Sequence, residues 1–119
     1  MKKKLLFICH KAPYTSFAAR EALDAILASA AFGQDVSVLF KDEGVLQLLP
    51  TQNSALLERK SIGAVLSAFE LYDVTNVFAC SESILKHGLK DVEPVIEVQM
   101  LESPALQTLL STQDHILGF

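Results

Sequence analysis

Residues 77–89 read Val77-Phe78-Ala79-Cys80-Ser81-Glu82-Ser83-Ile84-Leu85-Lys86-His87-Gly88-Leu89. A short apolar run, Val77 to Ala79, ends in a cysteine. Ser81 offers a side-chain oxygen suited to a helix N-cap, and a short helical pattern follows until Gly88 closes it. An apolar run that hands over directly to a capped helix is the strand–helix joint of an α/β protein. In such a fold Cys80 lands at the carboxyl edge of the sheet, where ligands and reactive groups gather. A thiol there lies near unpaired helix N–H groups, whose partial positive charge favours thiolate, the form that attacks sulfur. Free cysteine is also among the residue types most often buried as a small apolar group. Cys80 is therefore a candidate for thiol or persulfide chemistry, with a packed, inert thiol as the alternative.

The same alternation extends in both directions. Lys4 to Cys9 reads as a first strand, apolar after its opening lysine as in a parallel sheet buried on both faces. Ser16 can cap a helix that carries Phe17, Leu23, Ile26, Leu27 and Ala30–Ala31 and ends at Gly33. Asp35 to Phe40 is the second strand. Lys41-Asp42-Glu43-Gly44 reads as a polar turn, and Val45 to Leu49 as a short apolar element stopped by Pro50. A polar loop over Thr51–Ser54 leads to a short helical segment, Ala55 to Lys60, and a fuller helix from Ile62 to Tyr72. Beyond the Cys80 joint, Val95 to Val98 reads as the fourth strand. Ser103-Pro104 starts a helix, with Ser103 as N-cap and Pro104 in the first turn, running to about Ser111. His115 to Leu117 closes the pattern as a fifth strand. The expectation is a single domain over residues 1–119, a three-layer α/β/α arrangement around a mainly parallel five-stranded sheet.

Bulk properties narrow the function. Half of the 119 residues are hydrophobic and the mean hydropathy is +0.33, yet no apolar run approaches the length needed to span a bilayer. Leu5 to Ile8 is too short for the apolar region of a signal peptide, and His10, Lys11 and Pro13 interrupt it. A cytoplasmic protein without membrane association is expected, its excess apolar surface covering a subunit interface. The formal net charge is −4 with no basic stripe beyond Lys2 to Lys4. That balance lacks the footprint of direct nucleic-acid binding. The two cysteines and three histidines fit no zinc spacing, so neither a metal nor another cofactor is expected.

Other candidates are read locally. Cys9, at the end of the first strand, reads as core. His10, Lys11 and Thr15-Ser16 form a polar strand–helix loop; it has no Gly for close phosphate approach and reads as a loop near a partner subunit. A phosphatase reading of Cys80 requires an Arg six positions on, where Lys86 stands. Lys86 and His87 are near enough in sequence to favour the Cys80 thiolate, with the alternative that a short amphipathic helix points such residues at water. Val45, Leu46, Leu48 and Leu49 are hard to hide in a small element and read as an interface patch, with a simple core segment as the alternative.

Taken together, Ala12-Pro13, Arg20 to Ala25, Asp42 to Pro50, Leu71-Tyr72-Asp73, Cys80 with Leu85 and Gly88-Leu89, and the ending Asp114 to Phe119 resemble the TusC/DsrF subunit family of the DsrE/F-like superfamily. The likeness runs over essentially the whole chain, and Gly44 to Pro50 is its most specific part. It implies an α/β fold and a place in a heterohexamer with TusB-like and TusD-like subunits. Such a complex accepts persulfide sulfur from a TusA-like donor and passes it to a TusE-like acceptor, for 2-thiolation of the tRNA wobble uridine. In this superfamily the sulfur-carrying cysteine of the TusD/DsrE type follows a strand and precedes a helix, as Cys80 does. In the TusC/DsrF type the relay is not thought to depend on the subunit's own cysteine. The resemblance thus implies a structural or accessory subunit. The alternatives are a sulfurtransferase subunit with Cys80 as persulfide-carrying nucleophile, or a DsrF-like subunit of a sulfur-oxidation complex.

Overall fold

A computed structural model describes residues 3–12, 18–49, 66 and 68–119. Five strands form one sheet: β1 (Lys4–Cys9), β2 (Asp35–Phe40), β3 (Asn76–Cys80), β4 (Gln99–Leu101) and β5 (His115–Gly118). Among the described residues three helices accompany them: α1 (Ala18–Ala31), α2 (Ser81–Lys86) and α3 (Ser103–Ser111). Two 3₁₀ turns span Asp42–Leu48 and Glu70–Tyr72. The sheet order is β4-β3-β2-β1-β5, and every neighbouring pair is parallel. The steps β1→β2→β3→β4 all move the same way, so right-handed crossovers stack their connections on one face. The return from β4 to β5 crosses the whole sheet and puts α3 on the other face. Hence the three layers.

Strand alternation divides the core accordingly. Phe7, Cys9, Val36, Val38, Phe40, Val77 and Ala79 face one way and pack with Ala22, Leu23 and Ile26 of α1, with Leu66 and Phe69, and with Ile84 of α2. Leu6 and Leu39 alternate to the opposite face and are equally buried, as strands covered on both sides require. α1 stops where expected. Gly33 adopts φ +82°; its N–H donates to Ala30 O and that of Gln34 to Ser29 O, a Schellman closure that favours glycine. β5 is an exposed edge strand tied to β1 at both ends. Asp114 N–H donates to Lys4 O, and Phe119 N–H donates to Ile8 O.

Four expectations shift. β4 begins at Gln99, not at Val95. The Val95 N–H is committed to Leu48 O at 2.8 Å, so residues 95–98 pack on the core without joining the ladder. Ser81 and Ser103 are first helical residues; the N-caps are Cys80 and Glu102, neither with a side-chain capping bond. The expected polar turn at Lys41–Gly44 and apolar element at Val45–Leu49 merge into the 3₁₀ turn Asp42–Leu48. Phe69 is buried as its helical spacing requires, but Tyr72, on a 3₁₀ turn, is exposed. The expected Ser16 cap and Phe17 of the first helix, the polar loop over Thr51–Ser54, the helical segment at Ala55 to Lys60, and residues 62–65 and 67 of the next helix lie outside the described residues.

One contact holds the 3₁₀ turn in place. Lys41 N–H donates to Cys9 O, and Gly44 packs on that same carbonyl so closely that a Cβ on Gly44 would lie 1.7 Å from Cys9 O. Backbone cannot yield as a side-chain tip does. Gly44→Ala should therefore destabilise the fold by about 3 kcal/mol, the upper end of the overpacking range, read as a lower denaturation midpoint at unchanged slope.

Candidate functional site

An all-parallel sheet brings every strand's carboxyl end to one edge. Here these ends are Cys9-His10, Phe40-Lys41, Cys80-Ser81 and Gly118-Phe119. The 3₁₀ turn lies over this edge and collects polar groups there. Asp42 opens it in the left-handed region, φ +52°, which Asp tolerates better than most residues. Its Oδ2 lies 3.1 Å from His10 Nδ1. Its N–H donates to Ser83 Oγ on α2 at 2.9 Å. Gln47, 4% exposed, donates from Nε2 to Lys11 O at 3.0 Å, and its buried Oε1 has no partner. On the β5 side His10 N–H donates to Phe119 O at 2.8 Å. The Phe119 ring stacks on Phe7, centroids 6.1 Å apart and planes 16° from parallel.

His10 is thus held by its backbone on β5 and by its ring on the 3₁₀ turn. A carboxylate oxygen only accepts, so Nδ1 carries the hydrogen of that bond, and in the neutral ring Nε2 is the acceptor nitrogen. The ring side chain is about one-third exposed, at 35%, and that of Asp42 more so, at 59%. The arrangement can take and return a proton at Nε2 for a group arriving from solvent.

The two thiols have no such access. Cys9 is 1% exposed, and burial pushes its thiol up to about 12. Cys80 sits where expected, at the carboxyl end of β3 and at the N-cap of α2, but is 3% exposed. Lys86 and His87 lie six and seven residues farther along the chain. At a helical rise of about 1.5 Å per residue their backbones lie roughly 9 and 10.5 Å farther along the axis. The expected interface patch divides. Val45 and Leu48 belong to the core, 0% and 2% exposed, because the 3₁₀ turn folds them under the sheet edge; Leu46 and Leu49 remain half-buried. Sequence reasoning passed over Asp42, Gln47 and Ser83. Gln47, a lone polar residue in an apolar run, was the available signal. Among the described residues no three His, Cys, Asp or Glu side chains converge as a metal site would need, and no helix is long and apolar enough to cross a membrane.

A parallel α/β sheet with its polar groups gathered at the carboxyl edge defines the class. Residues 3–119 match the DsrE/DsrF-like family, and the chain belongs to it. More narrowly, it is 36% identical over 116 residues to the Protein TusC homolog of Vibrio parahaemolyticus, with 98% of each chain covered. It is 35% identical over 117 residues to the Protein TusC homolog of Pseudomonas aeruginosa, again covering 98% of each. Among solved structures it superposes on the YchN protein of Escherichia coli with a TM-score of 0.85 at 19% identity, covering both chains fully. A Bacteroides thetaiotaomicron protein of unknown function gives a TM-score of 0.68 at 14% identity, over 98% of this chain and 95% of the other. These two likenesses show the fold alone.

The Cys9 environment sets an alkaline limit on stability. Its folded value, about 12, lies above the ordinary 9.0, so above pH 9.0 the unfolded chain loses a proton that the folded chain keeps. Stability from this group is full below pH 9.0 and is lost progressively toward pH 12, by about 1.4 kcal/mol per pH unit at most. Cys9→Ala should flatten this part of the pH–stability curve relative to wild type, measured by denaturant unfolding from pH 8 to 11.

Proposed function

We propose that the protein is an accessory subunit of a heteromeric sulfur-relay complex serving 2-thiolation of the tRNA wobble uridine, with the sulfur carried on a partner's cysteine. The burial of both thiols, Cys9 and Cys80, is the observation that carries this reading. It is supported by the full-length similarity to TusC homologues. The partners it calls for are TusB-like and TusD-like subunits, a TusA-like donor and a TusE-like acceptor, in the cytoplasm. A net charge of −4 suits a chain that meets other proteins and leaves RNA to them.

A second reading makes Cys80 the nucleophile, favoured by its place at the carboxyl end of β3 where α2 begins. There a thiolate would attack the terminal sulfur of a donor persulfide, and the donor would leave as thiolate. Intact mass of the assembled complex after incubation with a persulfide donor, subunit by subunit, separates the two. The expected result is sulfur on a partner and none on this chain, unchanged by Cys80→Ser. One added sulfur on this chain, lost in Cys80→Ser, would establish the second reading instead.

In the accessory reading Leu46 and Leu49 are the half-buried remainder of the expected interface. Leu46→Asp together with Leu49→Asp should release this subunit from the complex, seen as a smaller species by light scattering, while the isolated chain keeps its unfolding midpoint. A lowered midpoint would assign both residues to the core.

A further inference from the structure

The carboxyl edge carries an oriented imidazole with no thiol of its own to serve. His10 Nδ1 is engaged by Asp42 at 3.1 Å on a side chain that is 35% exposed, and the residue is anchored by its own backbone N–H on Phe119 O; with Nδ1 occupied, Nε2 is the ring nitrogen left for an incoming group. Nε2 lies beside Gly118, where a Cβ would come to 3.7 Å, an ordinary van der Waals contact. Asp42 is fixed in turn by its N–H bond to the buried Ser83 hydroxyl. An Asp in the left-handed region, held from two sides, is the kind of backbone outlier that clusters at working sites. The other charged groups on this edge are Lys11, beside His10, and Lys41 and Glu43, which flank Asp42; β5 contributes Gly118, which Phe119 follows, and α2 contributes Ser83 together with its charged residues Glu82 and Lys86.

Neither cysteine of the chain can use this base. Cys9 is buried on the core side with a strongly raised pKa. Cys80 is buried on β3, and β2 lies between it and β1, so the two strands are separated by about 9.5 Å. From this geometry we infer that His10 is a catalytic residue acting in trans: its Nε2 serves as proton acceptor and donor for a cysteine thiol presented by another protein chain. Asp42 is the positioning residue that holds the ring. The inference rests on the sulfur-relay reading above.

The step balances without an oxidant or reductant. The acceptor thiol gives its proton to Nε2, and the resulting thiolate attacks the terminal sulfur of the donor persulfide. A new S–S bond forms as the donor's S–S bond breaks, and the electron pair of the broken bond leaves on the donor sulfur. That thiolate takes the proton back from Nε2. The acceptor is now the persulfide and the donor a free thiol.

The test is the rate of sulfur transfer from a small persulfide donor, glutathione persulfide, to the assembled complex, followed by mass from pH 5.5 to 9. His10→Gln keeps a donor for Asp42 but cannot titrate. It should slow transfer about 100-fold, the lower end of the range for general acid–base catalysis, and abolish the acid limb of the pH profile. Asp42→Asn, which tolerates the same backbone conformation, should slow transfer less while leaving an acid limb. Free imidazole should restore rate to His10→Ala and add nothing to wild type. Wild-type rate and pH profile in His10→Gln would overturn the role of His10 and leave the relay reading standing. A wild-type complex that takes up no sulfur on any subunit would overturn the relay reading and this inference with it.

Discussion

One position in this fold has room for glycine alone: Gly44 is seated so close to the Cys9 carbonyl that a Cβ would collide with it. That contact folds the 3₁₀ turn Asp42–Leu48 back over the carboxyl end of β1, and several features follow from it. Val45 and Leu48 are pushed into the core beside Cys9 and Phe40. Asp42 is brought to the His10 ring and Gln47 to the Lys11 carbonyl. The Leu48 carbonyl is turned to receive the Val95 N–H, which in turn delays the start of β4 until Gln99. A turn with a side chain at position 44 would stand away from the edge, and these ties would be lost together.

The second constraint is desolvation. A thiol placed under the 3₁₀ turn, as Cys9 is, becomes so hard to ionise that it behaves as an apolar residue. Cys80 is at the edge where chemistry collects in open α/β sheets, yet its burial withholds it from solvent. His10 and Asp42 do reach solvent, and a hydrogen bond across 32 residues holds them together. The chain therefore separates a protected pair of thiols from a partly exposed His10–Asp42 pair.

The family assignment and the site describe different levels of the molecule. The superposition on YchN at 19% identity says that the layer arrangement tolerates almost complete replacement of side chains, as expected when hydrophobic pattern and volume decide a core. On such a scaffold, function is set by what the loops after each strand present.

Local reasoning from the residues located β1, β2, β3 and β5 to within a residue or two. Apolar runs such as Leu5–Ile8 and Val36–Phe40 have no stable fate except burial between two layers. Gly33 was legible as a helix end because its left-handed conformation is a property of one residue. Val95–Val98 misled because apolar spacing reports burial and is silent on which backbone groups pair. The caps at Ser81 and Ser103 misled because a hydroxyl near a helix start competes with the path the chain takes into it. Tertiary structure alone decided that β5 lies beside β1, some 110 residues away in the chain, that Asp42 meets His10 across 32 residues, and that Ser83 and Gln47 join them. The sequence by itself determined which segments must leave water, since hydrophobicity is carried residue by residue. Which polar groups then meet was decided by the fold, because several of those bonds end on backbone N–H and C=O groups that every residue carries alike.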